Sequence, residues 1–225
     1  MTRLAEIDRL VLWVGSASEA NSAGEGSTIA SFPRDSALGG SLLTYGTSSG
    51  VPRALLESLR LPEQPTLLAV WVPPPEIEPS GLVEAFEAHF QAGLGERNAV
   101  THFIASYAHT GRLATTNTSE SLAGLMVALT DCSNPSDVDA FQDWYDEVHA
   151  PEALAPGIYA TARRFLRTSP ATPGSGIRAA EFLALYESKQ PGAEAFAEIF
   201  SAEHRPPSPL HPSCRVRAVW AFDRL

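Results

Sequence analysis

The residues best suited to chemistry fall in one short segment, Phe141 to Pro151. His149 is the strongest acid/base candidate, because its unperturbed pKa lies near neutrality and allows it to take and give a proton. Asp146, three residues earlier on the same helical face, is predicted to hold one ring nitrogen of His149. Tyr145 is predicted to donate to a developing oxyanion, and Trp144 to contact the substrate. The segment therefore predicts proton transfer on a bound small molecule.

The same segment also fits a purely structural role. His and Asp side chains are common at helix ends, where they interact with the helix dipole or bond free backbone groups. Under this alternative Asp146 and His149 cap the helix end, while Trp144 and Tyr145 are core residues. The sequence leaves both roles open.

Four further candidates for substrate binding lie on predicted strands. Arg163 and Arg164 are adjacent, so they point to opposite faces of their strand, and one of them is expected to hold a carboxylate, enolate or carbonyl oxygen. Surface ion pairs are the alternative for both arginines. Tyr186 is either a cavity wall with a useful hydroxyl or a core aromatic. Tyr107 is predicted to reach the interior, with a structural role as its alternative.

The candidate segment is predicted to lie on a helix with clear start and stop signals. Asn134 can cap the helix and Pro135 suits its first position, so we expect a helix over Asp137–His149. Pro151 disfavours helical conformation at Ala150, which predicts that the helix ends near His149.

The C-terminal half is predicted to follow the order strand, helix, strand, strand, helix, strand, which is the ferredoxin-like pattern. The predicted strands are Ala123–Asp131, Ile158–Thr168, Arg178–Glu187 and Arg215–Phe222, and the second helix is Gly192–His204. In this order the first and last strands are antiparallel neighbours. Cys132 and Cys214 are therefore expected to lie close together, as a reduced pair.

An internal repeat extends this pattern to the N-terminal half. The run beginning at Leu67 resembles the run beginning at Phe182, 115 positions later. The repeat predicts two halves, 1–115 and 116–225, of which the first is degenerate. Its expected departures from the pattern are a loop or weak helix over 16–40, an inserted helix over 51–61, and a solvated linker over 110–121.

A helix with the pattern W-Y-D-x-x-H-x-P, a Pro-Gly turn at 156–157 and an Arg-Arg-aromatic strand at 163–165 resembles the EthD-like family of the dimeric α/β-barrel superfamily. The run over 182–187 also fits this family, and the resemblance covers about residues 122–187. It implies an α+β fold in which two ferredoxin-like βαββαβ units, here fused in one chain, pack their sheets into one barrel. Because family members are usually homodimers of single units, a homo-oligomer remains open.

The resemblance also implies a range of activities. Family members bind apolar or aromatic small molecules between sheet and helices, and relatives include cofactor-free cyclases and lyases of polyketide pathways, cofactor-free monooxygenases and heme-handling proteins. The first hypothesis is a cofactor-free lyase, such as a dehydratase or decarboxylase, or an aldol-type cyclase. The alternatives are a cofactor-free or heme-dependent monooxygenase and a non-catalytic binding or assembly protein.

Composition excludes several other classes of function. With 16 Lys and Arg against 26 Asp and Glu, the net charge of -10 argues against binding nucleic acid or an anionic membrane surface. No His-x-x-x-His pattern, clustered cysteines or Asp-rich loop favours a metal, so we expect no metal and no cofactor. Charged residues interrupt the apolar N-terminus, which lacks the uninterrupted apolar centre of a signal peptide and predicts a cytoplasmic protein.

Overall fold

The computed structural model describes residues 7–17, 39–60, 64–94, 99–115, 122–173 and 177–225. Most of the predicted loop over 16–40 and the linker from residue 116 onward lie outside the described residues. The strands are β1 (Arg9–Ala17), β2 (Ser41–Thr47), β3 (Leu67–Val72), β4 (Ala99–Thr115), β5 (Gly124–Cys132), β6 (Tyr159–Arg167), β7 (Thr172–Pro173), β8 (Phe182–Ser188) and β9 (Cys214–Arg224). The α-helices are α1 (Arg53–Ser58), α2 (Leu82–Leu94), α3 (Val138–Trp144), α4 (Ala150–Leu154) and α5 (Gly192–Ile199).

Eight of the described strands close into one antiparallel barrel. Their order is β1-β3-β2-β9-β5-β8-β6-β4, and β4 pairs again with β1. The order β4-β1-β3-β2 in the first half is repeated as β9-β5-β8-β6 in the second. Each half thus has the strand arrangement of a ferredoxin-like unit. The predicted α+β fold, with two such units forming one barrel in a single chain, is confirmed.

Two strand pairings join the halves and close the barrel. One pairs β2 with β9 near Tyr45 and Arg224, and the other pairs β4 with β6 from Tyr107 to Thr115. The prediction of a solvated linker is therefore wrong for residues 110–115. Their Thr-containing sequence suits a loop, but β6 supplies hydrogen-bond partners that only the closed barrel brings within reach.

Alternating residues along each strand divide the apolar side chains into three layers. The barrel interior is filled by residues from both halves, including Leu12, Leu68, Phe103, Val127 and Trp220. A second layer lies between β5, β6, β8, β9 and the helices α3–α5, and a third lies between the first-half sheet and α2. The barrel interior is therefore a packed core, and the helices cover its outer face.

The strand β5 shows this division most clearly. Its interior-facing residues are Leu125, Val127 and Leu129. The residues between them, Met126 and Ala128, face the helices instead. This alternation leaves one face of β5 for the barrel core and the other for the helical layer.

The helix that carries the candidate segment does not end at His149. A π-helical turn, Tyr145–His149, follows α3, and α4 continues to Leu154. The predicted stop at Pro151 is wrong because the Ala150 N–H donates to the Tyr145 carbonyl, five residues back, and the wider turn accommodates the proline. The predicted cap is present, since the Asn134 side chain accepts a hydrogen bond from the Ser136 N–H.

The helix α5 lies close against the sheet and is shorter than predicted. It ends at Ile199, five residues before the expected end at His204. A Cβ atom at Gly192 would overlap the Phe222 carbonyl oxygen, so only glycine allows this approach. The Asp223 carboxylate accepts a hydrogen bond from the Gly192 N–H at 2.7 Å and holds the start of α5 on β9. No helix in the described part of the chain is long and apolar enough to cross a bilayer.

Candidate functional site

A cavity of about 420 Å³ lies between the outer face of the second-half sheet and the helices that cover it. The strands β5, β8 and β9 form its floor, and the π turn, α4 and the end of α5 form its walls. Its lining residues are Ser58, Leu59, Met126, Ala128, Thr130, Trp144, Tyr145, His149, Ala153, Tyr186, Ile199, Phe200, Arg205, Pro206, Ser208, Pro209, Leu210, Cys214, Val216 and Val219. A mostly apolar lining with a few polar groups is typical of a small-molecule site.

Three of the predicted site residues form one aromatic group on the cavity wall. The His149 ring stacks on Trp144 with their centroids 4.9 Å apart and meets Tyr145 edge-on, also at 4.9 Å. The π turn contains Tyr145 and His149 and changes the direction of the side chains that follow α3. Such turns are frequent at functional sites because they reorient side chains within a helix.

The surroundings of His149 keep its imidazole neutral. Burial lowers the pKa of His149 to about 4, opposed by the nearby Glu152 carboxylate and assisted by the Arg164 guanidinium. Its Nδ1 atom is buried and has no hydrogen-bond partner among the described residues. At neutral pH the ring is therefore unprotonated, and one of its two nitrogens carries a lone pair.

The predicted hydrogen bond between Asp146 and His149 is not formed. Asp146 instead accepts a hydrogen bond from Arg164 at 2.7 Å, and both side chains are buried, with 8% and 3% of their surface exposed. Arg164 also donates to the Gln142 carbonyl. The spacing of Asp146 and His149 places them on one side of the helix, but a permanent cation from β6 is the stronger partner for the carboxylate.

A pair of buried tyrosine hydroxyls faces the same cavity. The Tyr186 hydroxyl donates to the Tyr145 hydroxyl at 3.0 Å. Burial raises the pKa of Tyr145 to about 12 and that of Tyr186 well above its usual value, so both remain protonated. The Arg164 guanidinium carbon lies 4.2 Å from the centre of the Tyr145 ring, and its charge opposes the effect of burial on the pKa of Tyr145. Tyr145 is thereby a hydrogen-bond donor with a fixed position.

Three of the predicted substrate-binding residues do not line the cavity, and neither does Asp146. Arg163 and Arg164 point to opposite faces of β6, and Arg164 lies behind Tyr145 in the helical layer. Arg163 lies on the same face of β6 as Phe165, which it approaches, and it pairs at 3.2 Å with the exposed side chain of Asp8. Tyr107 faces the barrel interior and donates its hydroxyl to the Ala180 carbonyl at 3.0 Å. The expectation that these three side chains contact a substrate is therefore not supported for this cavity.

Two segments of the cavity wall lie outside the candidate segment Phe141 to Pro151. The loop over 205–210 covers the cavity and is held to α4 by the Ser208 hydroxyl, which donates to Glu152 at 2.5 Å. Its run of prolines is typical of a stiff segment. The first half contributes Ser58 and Leu59 from the end of α1, and nothing in their sequence indicated this role.

The two cysteines are neighbours, as predicted from the strand order. Cys132 and Cys214 are directly opposite each other on β5 and β9. Cys214 lines the cavity, and burial raises the pKa of its thiol to about 11. It is therefore a protonated, weakly nucleophilic wall residue at neutral pH.

No family model matches this sequence, and neither does any curated protein. Solved structures do match over nearly the whole chain. The structure of an anthrone oxidase-like protein has a TM-score of 0.54 at 11% identity and covers 98% of this chain and 93% of its own. The structure of a candidate chlorite dismutase has a TM-score of 0.53 at 14% identity. The match covers 97% of this chain and 95% of the other. The chain shares the fold of these structures, in which its own strands form one antiparallel barrel.

These similarities define the fold and leave the activity open. At identities of 11% and 14%, likeness between structures does not carry a reaction from one protein to another. The structure of a candidate monooxygenase from Fusobacterium nucleatum covers 97% of the chain at 9% identity. Its TM-score of 0.43 is too low to support an inference about this protein. Membership of the EthD-like family remains a prediction.

Proposed function

We propose that this chain is a cofactor-free enzyme that performs acid/base chemistry on an apolar, aromatic or polyketide-like small molecule. One observation carries the proposal: a neutral histidine and a protonated tyrosine lie side by side on the wall of a mostly apolar cavity. A base and a hydrogen-bond donor in this arrangement suit removal of a proton from carbon next to a carbonyl group.

His149 acts as the base in this proposal. It removes the proton from carbon, and the substrate carbonyl becomes an enolate. An imidazolium is unfavourable in this apolar cavity, as the pKa of about 4 indicates, but the enolate formed beside it supplies a compensating negative charge. The proton is later returned to the substrate or to a leaving group.

Tyr145 stabilises the enolate oxygen by donating a hydrogen bond. Its hydroxyl accepts from Tyr186, which leaves its own proton available for the substrate. The ion pair between Arg164 and Asp146 fixes the helix beneath Tyr145. Trp144 holds the plane of the His149 ring and offers an aromatic surface to a planar substrate.

The enolate leads to the favoured reactions, which are elimination by a lyase or attack on a second carbonyl by an aldol-type cyclase. The resemblance of the motif to the EthD-like family supports this choice. An alternative fate is reaction of the enolate with dioxygen, as in a cofactor-free monooxygenase. Similarity to a structure described as anthrone oxidase-like supports that second candidate. Both candidates share the first proton transfer.

Heme-dependent oxygenation fits these residues poorly. A histidine that ligates heme usually donates its second ring nitrogen to an acceptor, which fixes the ring. The Nδ1 atom of His149 has no such partner among the described residues, and Trp144 and Tyr145 cover two sides of the ring. We therefore expect purified protein to show no intense visible absorption, and added hemin to give no spectral change that depends on His149.

Exchange of substrate carbon-bound hydrogen with solvent deuterium tests the proposed first step. Anthrone and a simple aryl ketone serve as probes, with deuterium uptake followed by NMR under nitrogen. We expect His149→Gln to lower the exchange rate by roughly 10²- to 10⁴-fold. His102→Gln is the matched control, since His102 lies in the first half on β4, where its ring bonds to the Ser16 hydroxyl.

Oxygen uptake then separates the two candidates. Consumption of dioxygen that requires His149 favours the monooxygenase, whereas exchange without consumption favours the lyase or cyclase. Binding of the probes without exchange in any variant would contradict both candidates and favour a non-catalytic binding protein.

A further inference from the structure

The cavity contains one permanently charged side chain among the described residues that line it, and this is Arg205. None of these lining residues is acidic, and His149 is neutral at pH 7. The guanidinium of Arg205 forms no ion pair with a carboxylate in the described part of the chain. An unpaired cation is notable in a protein with a net charge of -10, in which acidic partners are abundant.

Arg205 lies at the solvent-facing edge of the cavity. It is exposed, and it begins the loop whose residues Pro206, Ser208 and Pro209 form the cover. The same edge has two apolar residues with unusually high exposure, Leu210 at 52% and Val216 at 40%. The mouth therefore combines a planar cation with apolar surface.

We propose that the natural ligand is an aromatic acid, with an apolar ring system in the cavity and an ionised carboxylate, or a comparable oxyanion, held by Arg205. A guanidinium binds such a group through two parallel hydrogen bonds, which fixes orientation as well as position. Arg205 is thus a specificity-determining residue of the same site. The inference rests on the proposed function and narrows its substrate class.

Two fluorescent probes of similar size test the inference on the intact chain. Anilinonaphthalene sulfonate carries an anionic group, whereas phenylnaphthylamine is neutral. We expect Arg205→Gln to weaken binding of the anionic probe by about three- to tenfold and to leave binding of the neutral probe unchanged. Arg205→Lys should retain part of the affinity for the anionic probe, because it keeps the charge but loses the planar fork.

A matched control removes the effect of net charge. Arg53→Gln changes the net charge by the same amount on the helix α1, but Arg53 pairs with Glu57 and does not line the cavity. This variant should bind both probes like the wild type. Added salt should weaken binding of the anionic probe to the wild type more than to Arg205→Gln.

The outcomes separate this inference from the proposed function. Suppose that Arg205→Gln binds the anionic probe as tightly as wild type does, or loses affinity for both probes equally. Either result would contradict the proposed role of Arg205 in anion binding, while the cavity would remain a binding site. If neither probe binds to wild type, the cavity does not take small aromatic molecules, and the proposed function fails together with the inference.

Discussion

At the scale of single residues, two neighbouring groups determine what the site can do. The carboxylate of Asp146 is committed to Arg164, and the imidazole of His149 is left without a carboxylate partner among the described residues. In many acid/base sites a carboxylate raises the basicity of its histidine. Here burial lowers the basicity instead, so the driving force for proton removal must come from the substrate and from Tyr145.

The titration of His149 is the first prediction at this scale. NMR of the imidazole protons, assigned with His149→Gln, should give a pKa near 4 instead of 6.5. Glu152→Gln should lower this pKa further, because Glu152 favours the charged ring, and Asp146→Asn should change it little. A value near 6.5 in the wild type would contradict the buried environment of the ring.

Stability follows from the same titration. Because the pKa is lower in the folded state, the unfolded chain binds more protons between pH 6.5 and about 4. The free energy of unfolding should therefore decrease as the pH falls through this window, by roughly 2 to 3 kcal/mol from this group. The free energy of unfolding of His149→Gln, measured with urea, should decrease less over the same pH range, because the titrating imidazole is gone. Identical pH profiles for wild type and variant would contradict this prediction.

The ion pair between Asp146 and Arg164 gives a separate prediction. Asp146→Asn leaves a buried guanidinium without its carboxylate and should reduce the free energy of unfolding by about 3 kcal/mol. Asp139→Asn, an exposed change on the same helix, should stay within about 0.5 kcal/mol of wild type. Chemical denaturation measures both, and equal small effects would mean that the pair contributes little.

At the scale of elements, the position of α5 depends on groups from three parts of the chain. Asp223 on β9 accepts hydrogen bonds from the Gly192 N–H and from the Ser48 hydroxyl, each at 2.7 Å. The Ser48 hydroxyl also accepts from the Ala193 N–H. The start of the helix is thus fixed to the sheet of the second half and to the chain that follows β2 of the first half.

The prediction at the element scale concerns loss of the Asp223 carboxylate. Asp223→Ala should lower the free energy of unfolding by about 1 to 2 kcal/mol, because the Gly192 N–H loses its acceptor and the Ser48 hydroxyl, which accepts from the Ala193 N–H, loses the carboxylate that orients it. It should also weaken probe binding, since Ile199 at the other end of α5 lines the cavity. Unchanged stability together with unchanged binding would show that α5 is held by packing alone.

At the scale of the whole molecule, the barrel is a shared structure. The β2–β9 and β4–β6 pairings give each half the edge partners that it lacks alone. The interior layer contains side chains from both halves, such as Leu68 and Trp220. The halves are therefore expected to stay together even when the chain between them is cut.

A protease site inserted between residues 116 and 121 tests this expectation. After cleavage the two fragments should co-elute in size-exclusion chromatography with the retention of the intact protein, and separate only in denaturant. Fragments that separate in buffer would contradict a shared barrel core.

The sequence by itself determined the pattern of the second half and the nature of its fold. Alternation along the strands, the capped helix and the offset repeat depend on local contacts and on burial, which the order of residues specifies directly. The neighbouring positions of Cys132 and Cys214 followed from the strand order alone.

Only the tertiary structure decided the partners of charged and polar groups. Asp146 is bonded to Arg164 from β6 rather than to His149 from its own helix, Pro151 is accommodated by a π turn, and α1 of the first half closes the cavity of the second. These outcomes depend on which distant groups approach each other when the barrel closes. Spacing along the chain carries no information on that competition, because a stronger partner can come from any strand.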